Sequence, residues 1–183
     1  YTGNTVNLGV GMTCIAGIMK DGKVHLAGER GASQDNYIVS IDKPKIWKSG
    51  SYIFGYAGTF DAQIIQYNFI PPVPEGNVDK FMHGKFLKSL KAFYNEWDIG
   101  GKDSEISLLI GIKGKLYEHE AEGFTMISYD RDYVAIGSGA DYAIGSLHAT
   151  QNHKDPKRRL ALALGCSIEF SSSCIGPIDF LSA

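Results

Sequence analysis

The sequence predicts an α+β fold in which two sheets pack face to face between two pairs of helices, a four-layer αββα sandwich. Three observations predict it. Turn signals at Asp21-Gly22, Ser49-Gly50 and Lys113-Gly114 lie between apolar runs of strand length, so the chain makes repeated antiparallel hairpins. Apolar residues recur at helical spacing in two pairs of stretches, one after the second hairpin and one near the end. Strands and helices therefore come in separate runs, which favours layered α+β packing over alternating βαβ units.

Residues 1–12 are polar and rich in Gly, Asn and Thr. They read as a propeptide, a lead-in or an expression remnant, with Met12 a candidate start, and residues 13–183 read as one domain. Residues 13–20 and 23–29 form the first hairpin. With Asp21-Gly22 as a two-residue turn, Lys20 faces Lys23. The same register carried outward puts Cys14 opposite Glu29 and Thr13 opposite Arg30. A hydroxyl, a thiol and two opposite charges thus meet at the open end of one hairpin, more than a strand needs for stability.

Residues 31–36 read as a polar loop and 37–41 as a short strand. Residues 45–48 and 52–58 make the second hairpin. Gly58-Thr59-Phe60-Asp61 then opens a helix, with Asp61 or Thr59 as its cap and Ala62, Ile64, Ile65 and Phe69 on its apolar side. The run Pro71-Pro72-Val73-Pro74 is a rigid break. Residues 78–97 carry Phe81, Leu87, Leu90, Phe93, Tyr94 and Trp97 at helical spacing, and Gly100-Gly101 ends that helix. Residues 107–112 and 115–119 are the third hairpin, with further strands at 124–129 and 133–136. Helices follow from Asp141 toward Thr150 and from Lys157 to about Ile168, the latter with Pro156 in its first turn. Residues 178–181 close the chain as a strand.

A chain of 183 residues suits one domain with a sizeable core, and 44% hydrophobic with 21% charged residues is an ordinary globular composition. The net charge of −2 gives no reason to expect nucleic acid or an anionic membrane as partner. Basic residues cluster at Lys154, Lys157, Arg158 and Arg159 and read as a solvated helix start. Three cysteines, Cys14, Cys166 and Cys174, with no signal-peptide pattern, fit a cytoplasmic setting better than a disulfide framework. No apolar run approaches the ~20 residues of a membrane span. The five histidines lack metal-ligand spacing and there is no phosphate-binding P-loop, so neither a metal nor another cofactor is expected.

Five pieces occur in order along nearly the whole chain. They are Thr-x-Ile-Ala-Gly at 13–17, Ala-Gly-Glu-Arg at 27–30, Lys45 after the next strand, Gly-Tyr-Ala-Gly-Thr-x-Asp at 55–61 and Ile-Gly-Ser-Gly-x-x-Tyr-Ala at 136–143. The set resembles the N-terminal nucleophile hydrolases of proteasome type, nearest in pattern to HslV-type peptidases and their bacterial and phage-encoded relatives. The resemblance implies a threonine endopeptidase in a homo-oligomeric ring of two stacked hexamers, to which a separate ATPase unfoldase feeds polypeptide substrates. It assigns the nucleophile to the Thr13 hydroxyl and the general base to the Thr13 amine once that amine is free. A hydroxyl is a poor nucleophile until a base takes its proton, and an α-amine of pKa about 8 serves. By the same resemblance Lys45 is the buried lysine beside the nucleophile. The N–H of Gly58 is the oxyanion donor, Ser138 holds the amine and a water, and Glu169 orients that group. Glu29 departs from the pattern, because the family usually has Asp there. The extra methylene changes its reach to Lys45 and Thr13.

Two other readings compete. One moves the chemistry to Cys14, as in cysteine-type amidohydrolases of the same superfamily, which requires Cys14 as first residue. Strand alternation favours it mildly by placing Glu29 on the face of Cys14. The other is a catalytically inert or unprocessed ring-forming subunit, in which the residues before Thr13 leave it no free amine.

Overall fold

The computed structural model describes residues 13–34, 37–100 and 104–183. The lead-in at 1–12 and Gly101 lie outside the described residues. The first hairpin is β1 (Ile15–Lys20) and β2 (Lys23–Glu29) in the expected register, from Lys20 opposite Lys23 to Ile15 opposite Gly28. Asp21 (φ 51°) and Gly22 (φ 72°) both take left-handed conformations. A two-residue turn needs these to match the twist of its strands. Beyond Ile15 the pairing continues as a bond from the Glu29 N–H to the Cys14 carbonyl, 3.3 Å.

Residues 31–34 were expected as loop, but they form β3 (Gly31–Gln34), paired with β4 (Tyr37–Ser40). The polar composition hid the strand. Its backbone groups are satisfied by the β4 ladder, and Ala32 is buried. Then come β5 (Ile46–Ser49), β6 (Tyr52–Ala57) and α1 (Ala62–Asn68). The expected cap of α1 does not form. Asp61 is itself helical (φ −56°, ψ −24°) and its carboxylate makes no capping bond, while the Thr59 hydroxyl is buried without a partner. The turn is closed instead by Ala62 N–H on the Thr59 carbonyl, 3.2 Å.

The long helix is α2 (Val78–Phe81), a π-helical turn (Met82–Phe86) and α3 (Leu87–Trp97). Asn77 caps it by accepting from the Lys80 N–H at 3.0 Å. After it come β7 (Ser107–Ile112), β8 (Lys115–Glu120), a 3₁₀ turn (Glu122–Phe124), β9 (Thr125–Ser128) and β10 (Tyr133–Ile136). The helices α4 (Ala140–Ala149) and α5 (Pro156–Phe170) and the strand β11 (Ile178–Ser182) complete the order. No helix among the described residues is long and apolar enough to cross a membrane.

The strands assemble as β10-β1-β2-β11 in one sheet and β5-β6-β7-β8-β9 in the other, every described pairing antiparallel. Three apolar layers result, and strand alternation sorts residues among them. Phe54, Tyr56, Ile110 and Tyr117 face α1, α2 and α3, where Phe69, Phe86, Leu90 and Phe93 meet them. Ala16, Ile18, Ala27 and Ala135 face Leu147, Leu160 and Leu164 of α4 and α5. Between the sheets lie Ile15, Leu26, Ile46, Ile53, Leu109 and Val134. Each such aliphatic or aromatic side chain contributes about 2 kcal/mol by leaving water. This is the four-layer αββα sandwich. Arg159, expected in a solvated basic cluster, is buried beneath it. Its guanidinium donates to the Leu147 carbonyl at 3.1 Å and lies 5.7 Å from the Tyr133 ring centre.

One side chain draws the sheets together at the end that matters. A Cβ on Gly28 would lie 2.7 Å from Ile15, and one on Gly55 would lie 2.5 Å from it. Ile15 therefore fills room left by a glycine on its own sheet and by another on the facing sheet, and brings the start of β1 down onto β6.

Candidate active site

Thr13 precedes β1, and its side chain reaches Lys45, which lies just ahead of β5. Nζ of Lys45 donates to Oγ1 of Thr13 at 2.6 Å, to Oε1 of Glu29 at 2.8 Å and to the Gly31 carbonyl. All three residues are buried. Three acceptors for three ammonium protons leave none unsatisfied. Burial pulls Lys45 below its ordinary value, and Glu29 opposes that pull by charge and hydrogen bond. With every donor bonded and a carboxylate at 2.8 Å, the ammonium form fits the site.

Glu29 is held on both oxygens. Oε1 also accepts from the Cys14 N–H at 3.3 Å, and Oε2 accepts from the N–H groups of Gly31 and, at 3.2 Å, Ile175. Alternation puts Glu29 on the helix side of the sheet, yet its carboxylate meets Lys45. The chain turns at Arg30 into β3, so the carboxylate sits at the strand end with donors around it. The longer side chain is accommodated because residue 31 is glycine, where a Cβ would fall 2.5 Å from Oε2.

The backbone of Thr13 is clamped by the turn between β10 and α4. Its N–H donates to Oγ of Ser138 at 3.1 Å. Its carbonyl accepts from the Gly139 N–H at 3.2 Å and faces the Ser138 hydroxyl at 3.4 Å. Gly137 (φ 90°) passes so close that a Cβ would lie 2.2 Å from the Thr13 carbonyl oxygen and 3.2 Å from Ala57. Gly58, next after Ala57, is also left-handed (φ 98°), and a Cβ there would overlap the Glu105 carbonyl oxygen at 1.5 Å. Glycine at 58 is thus a requirement of the backbone, whatever its N–H does.

Glu169 is not brought to this cluster. It is exposed near the end of α5, and its side chain makes no hydrogen bond or ion pair to another described residue. The group behind Ser138 is Ser173, whose hydroxyl lies 2.9 Å from Ser138 and 2.5 Å from Ser171. Sequence reasoning missed Ser173. The run of three serines after α5 was its only signal.

Cys14 turns the other way. Its side chain belongs to the core against α4 and α5, Sγ accepts from the Ser167 hydroxyl at 3.3 Å, and burial pushes the thiol up to about 12. Such a thiol is protonated and inert at neutral pH. Among the described residues no group of His, Cys, Asp or Glu is arranged to hold a metal ion.

The αββα sandwich, with Thr13 on the Lys45–Glu29 pair at the end of one sheet, is the fold of the proteasome-type hydrolases found among its structural neighbours. No family model matches it. Its sequence is similar to the ATP-dependent protease subunit HslV of Treponema denticola, 29% identical over 163 residues that span 81% of this chain and 83% of that protein. Among solved structures, BPH of Thiobacillus denitrificans in complex with epoxomicin matches with a TM-score of 0.72 at 18% identity, covering 93% of this chain and 98% of that one. Eukaryotic HslV from Trypanosoma brucei gives 0.71 at 19% identity, with coverage of 93% and 98%. Anbu, the ancestral beta-subunit from Yersinia bercovieri, gives 0.66 at 15% identity, with coverage of 93% and 80%.

Proposed function

We propose that this chain is a threonine-type endopeptidase subunit of a self-compartmentalising homo-oligomeric ring. The observation that carries the reading is the buried contact of 2.6 Å between Nζ of Lys45 and Oγ1 of Thr13, with Glu29 behind the lysine. An ammonium at that distance stabilises the hydroxyl as it becomes an alkoxide. The base is the Thr13 amine, freed when the bond to Met12 is broken. It takes the hydroxyl proton, and Oγ1 attacks a substrate carbonyl. The tetrahedral oxyanion is held by the Gly58 N–H. The protonated amine then gives its proton to the leaving nitrogen, which leaves an ester on Thr13. Water, deprotonated by the same amine, hydrolyses the ester and restores the hydroxyl. Ser138, steadied by Ser173, already accepts from the Thr13 nitrogen at 3.1 Å in the uncut chain and is placed to hold the freed amine.

HslV is named as a subunit of an ATP-dependent protease. That supports a place for this chain in an ATP-dependent protease assembly, and two stacked hexameric rings with a separate ATPase unfoldase are the form of it that the sequence resemblance implies. The test is the intact mass of the purified assembly, with and without a threonine-directed covalent proteasome inhibitor. A chain beginning at Thr13 that gains one adduct, with none on Thr13→Ala, is expected. A chain that keeps residue 12 and gains no adduct overturns the peptidase reading for that form and leaves an inert or unprocessed subunit.

A further inference from the structure

Three hydroxyls run in a line from the nitrogen of Thr13. Ser138 accepts from it at 3.1 Å, Ser173 lies 2.9 Å from Ser138, and Ser171 lies 2.5 Å from Ser173. Glu169, which the resemblance assigns to orient this group, is exposed, and among the described residues no carboxylate bonds to any of the three. The line is fixed at its far end. Ser171 follows α5, and its N–H donates to the Ser167 carbonyl at 2.9 Å. The Ser173 N–H donates to the Ser171 hydroxyl at 3.3 Å, and two residues on the Ile175 N–H reaches Oε2 of Glu29 at 3.2 Å.

Counting protons ties the three together. Two hydroxyl oxygens in hydrogen-bonding contact need a proton between them. Ser173 is buried and has one proton to give, with Ser138 on one side and Ser171 on the other. The Cys174 sulfur, at 4.0 Å, is a far weaker acceptor. If Ser173 donates to Ser171, Ser138 must donate to Ser173 and offers the nitrogen lone pairs alone. If Ser173 donates to Ser138, Ser171 must donate to Ser173. The Ser138 proton is then released toward Thr13, to its carbonyl at 3.4 Å or, after the cut, to the lone pair of the amine. The first arrangement suits an ammonium group and the second a neutral amine.

We propose that Ser171 is a positioning residue for the proposed hydrolysis. Through Ser173 its hydroxyl decides which way the Ser138 hydroxyl points, and so tunes how readily the freed Thr13 amine takes up a proton. The inference rests on that reading of the site. A base that takes the Thr13 proton and later gives it up passes between neutral amine and ammonium. The line must then turn over, each hydroxyl rotating while every proton stays on its own oxygen. Ser171 serves both states because a hydroxyl both donates and accepts, which a carboxylate in its place would not do. The charged groups about Thr13 are Lys45 on its hydroxyl and Glu29 on the Cys14 N–H. The Cys14 and Cys174 thiols lie on the core side, while Asp141 in the first turn of α4 and Glu169 near the end of α5 are exposed. Changing residue 171 removes none of them.

The test follows arylation of the Thr13 nitrogen by trace fluorodinitrobenzene against pH, read from the mass of the N-terminal peptide. It uses the assembled protein prepared with Thr13 as its first residue. The neutral amine is the form that reacts, so the midpoint reports its protonation. Ser171→Ala removes the outlet for the Ser173 proton and holds the line in the state that suits the neutral amine. It is expected to lower the midpoint by roughly half a pH unit. Ser171→Thr keeps a hydroxyl and should keep the wild-type midpoint. In a Ser173→Ala background, where the line is cut, Ser171→Ala should move nothing. If Ser171→Ala does not assemble, Ser171→Cys, a weak donor and acceptor, should give a smaller fall in the same direction. A midpoint unmoved by loss of the hydroxyl at 171, or moved equally with and without Ser173, overturns the proposal. The peptidase reading fails separately: the inhibitor then adds nothing to Thr13 while the midpoint still answers to residue 171.

Discussion

Gly31 leaves the space that Oε2 of Glu29 requires: a Cβ on residue 31 would stand 2.5 Å from that oxygen. The oxygen has little freedom to withdraw, because the N–H groups of Gly31 and Ile175 both donate to it. The longer acid and the glycine two positions on act as a matched pair. Gly31→Ala is expected to destabilise the fold by about 1–3 kcal/mol and to slow inhibitor attachment at Thr13. Glu29→Asp, one methylene shorter, should recover part of the loss in the double variant. A double-mutant cycle of denaturation free energies measures this, and strictly additive effects would remove the pairing.

Lys45→Met removes the cation bonded to the buried Glu29 carboxylate. Leaving Glu29 unpaired should cost about 3–5 kcal/mol, read by denaturant unfolding. Adduct formation should be lost with it. Lys45→Arg keeps the charge, but a planar fork does not reproduce three donors aimed at Thr13, Glu29 and Gly31, so activity should stay low.

Ser173 and Glu169 give opposite expectations. Ser173→Ala leaves the Ser138 hydroxyl without its 2.9 Å partner and should slow inhibitor attachment by roughly tenfold, the equivalent of one lost hydrogen bond. Glu169→Ala, which removes an exposed side chain bonded to no described residue, should change the rate little. A large loss for Glu169→Ala and none for Ser173→Ala would reverse the assignment.

Cys14 should resist alkylation near pH 8 in the folded protein, because burial holds its thiol protonated up to about 12. Half-buried Cys166 should react first. The sign for stability follows from the same shift. Between 9.0 and about 12 the folded thiol keeps a proton that the unfolded one has lost, so alkaline pH weakens the fold through Cys14. Cys14→Ala should retain the Thr13 adduct. Losing the adduct while the fold persists would revive the cysteine reading.

What could be read beforehand was local. The Asp21-Gly22 turn fixed the register of β1 and β2 because both left-handed positions carry residues that tolerate them. Alternation then sorted Ile15 from Ala16 into different layers. Thr13, Glu29 and Lys45 could be named from the resemblance, and the structure brings them together. Gly31, Gly137 and Ser173 could not, because their parts are defined by chain arriving from elsewhere. Ser173 meets Ser138 across 35 positions that contain two helices. Gly137 is needed because β1 begins beside it. β3 was missed because its sequence is that of a loop until β4 supplies a ladder.

Both ends of the Thr13 backbone are fastened, nitrogen to Ser138 and carbonyl to Gly139, in a chain where Met12 still precedes it. Lys45 already touches the hydroxyl. On the proposed mechanism, dormancy of the uncut chain is a matter of one covalent bond, and waking the site is a subtraction that starts with these contacts in place. On that mechanism, whatever severs the bond before Thr13 sets the timing of activity independently of folding. Cut and uncut copies would share one shape around this residue and could sit side by side in the same assembly.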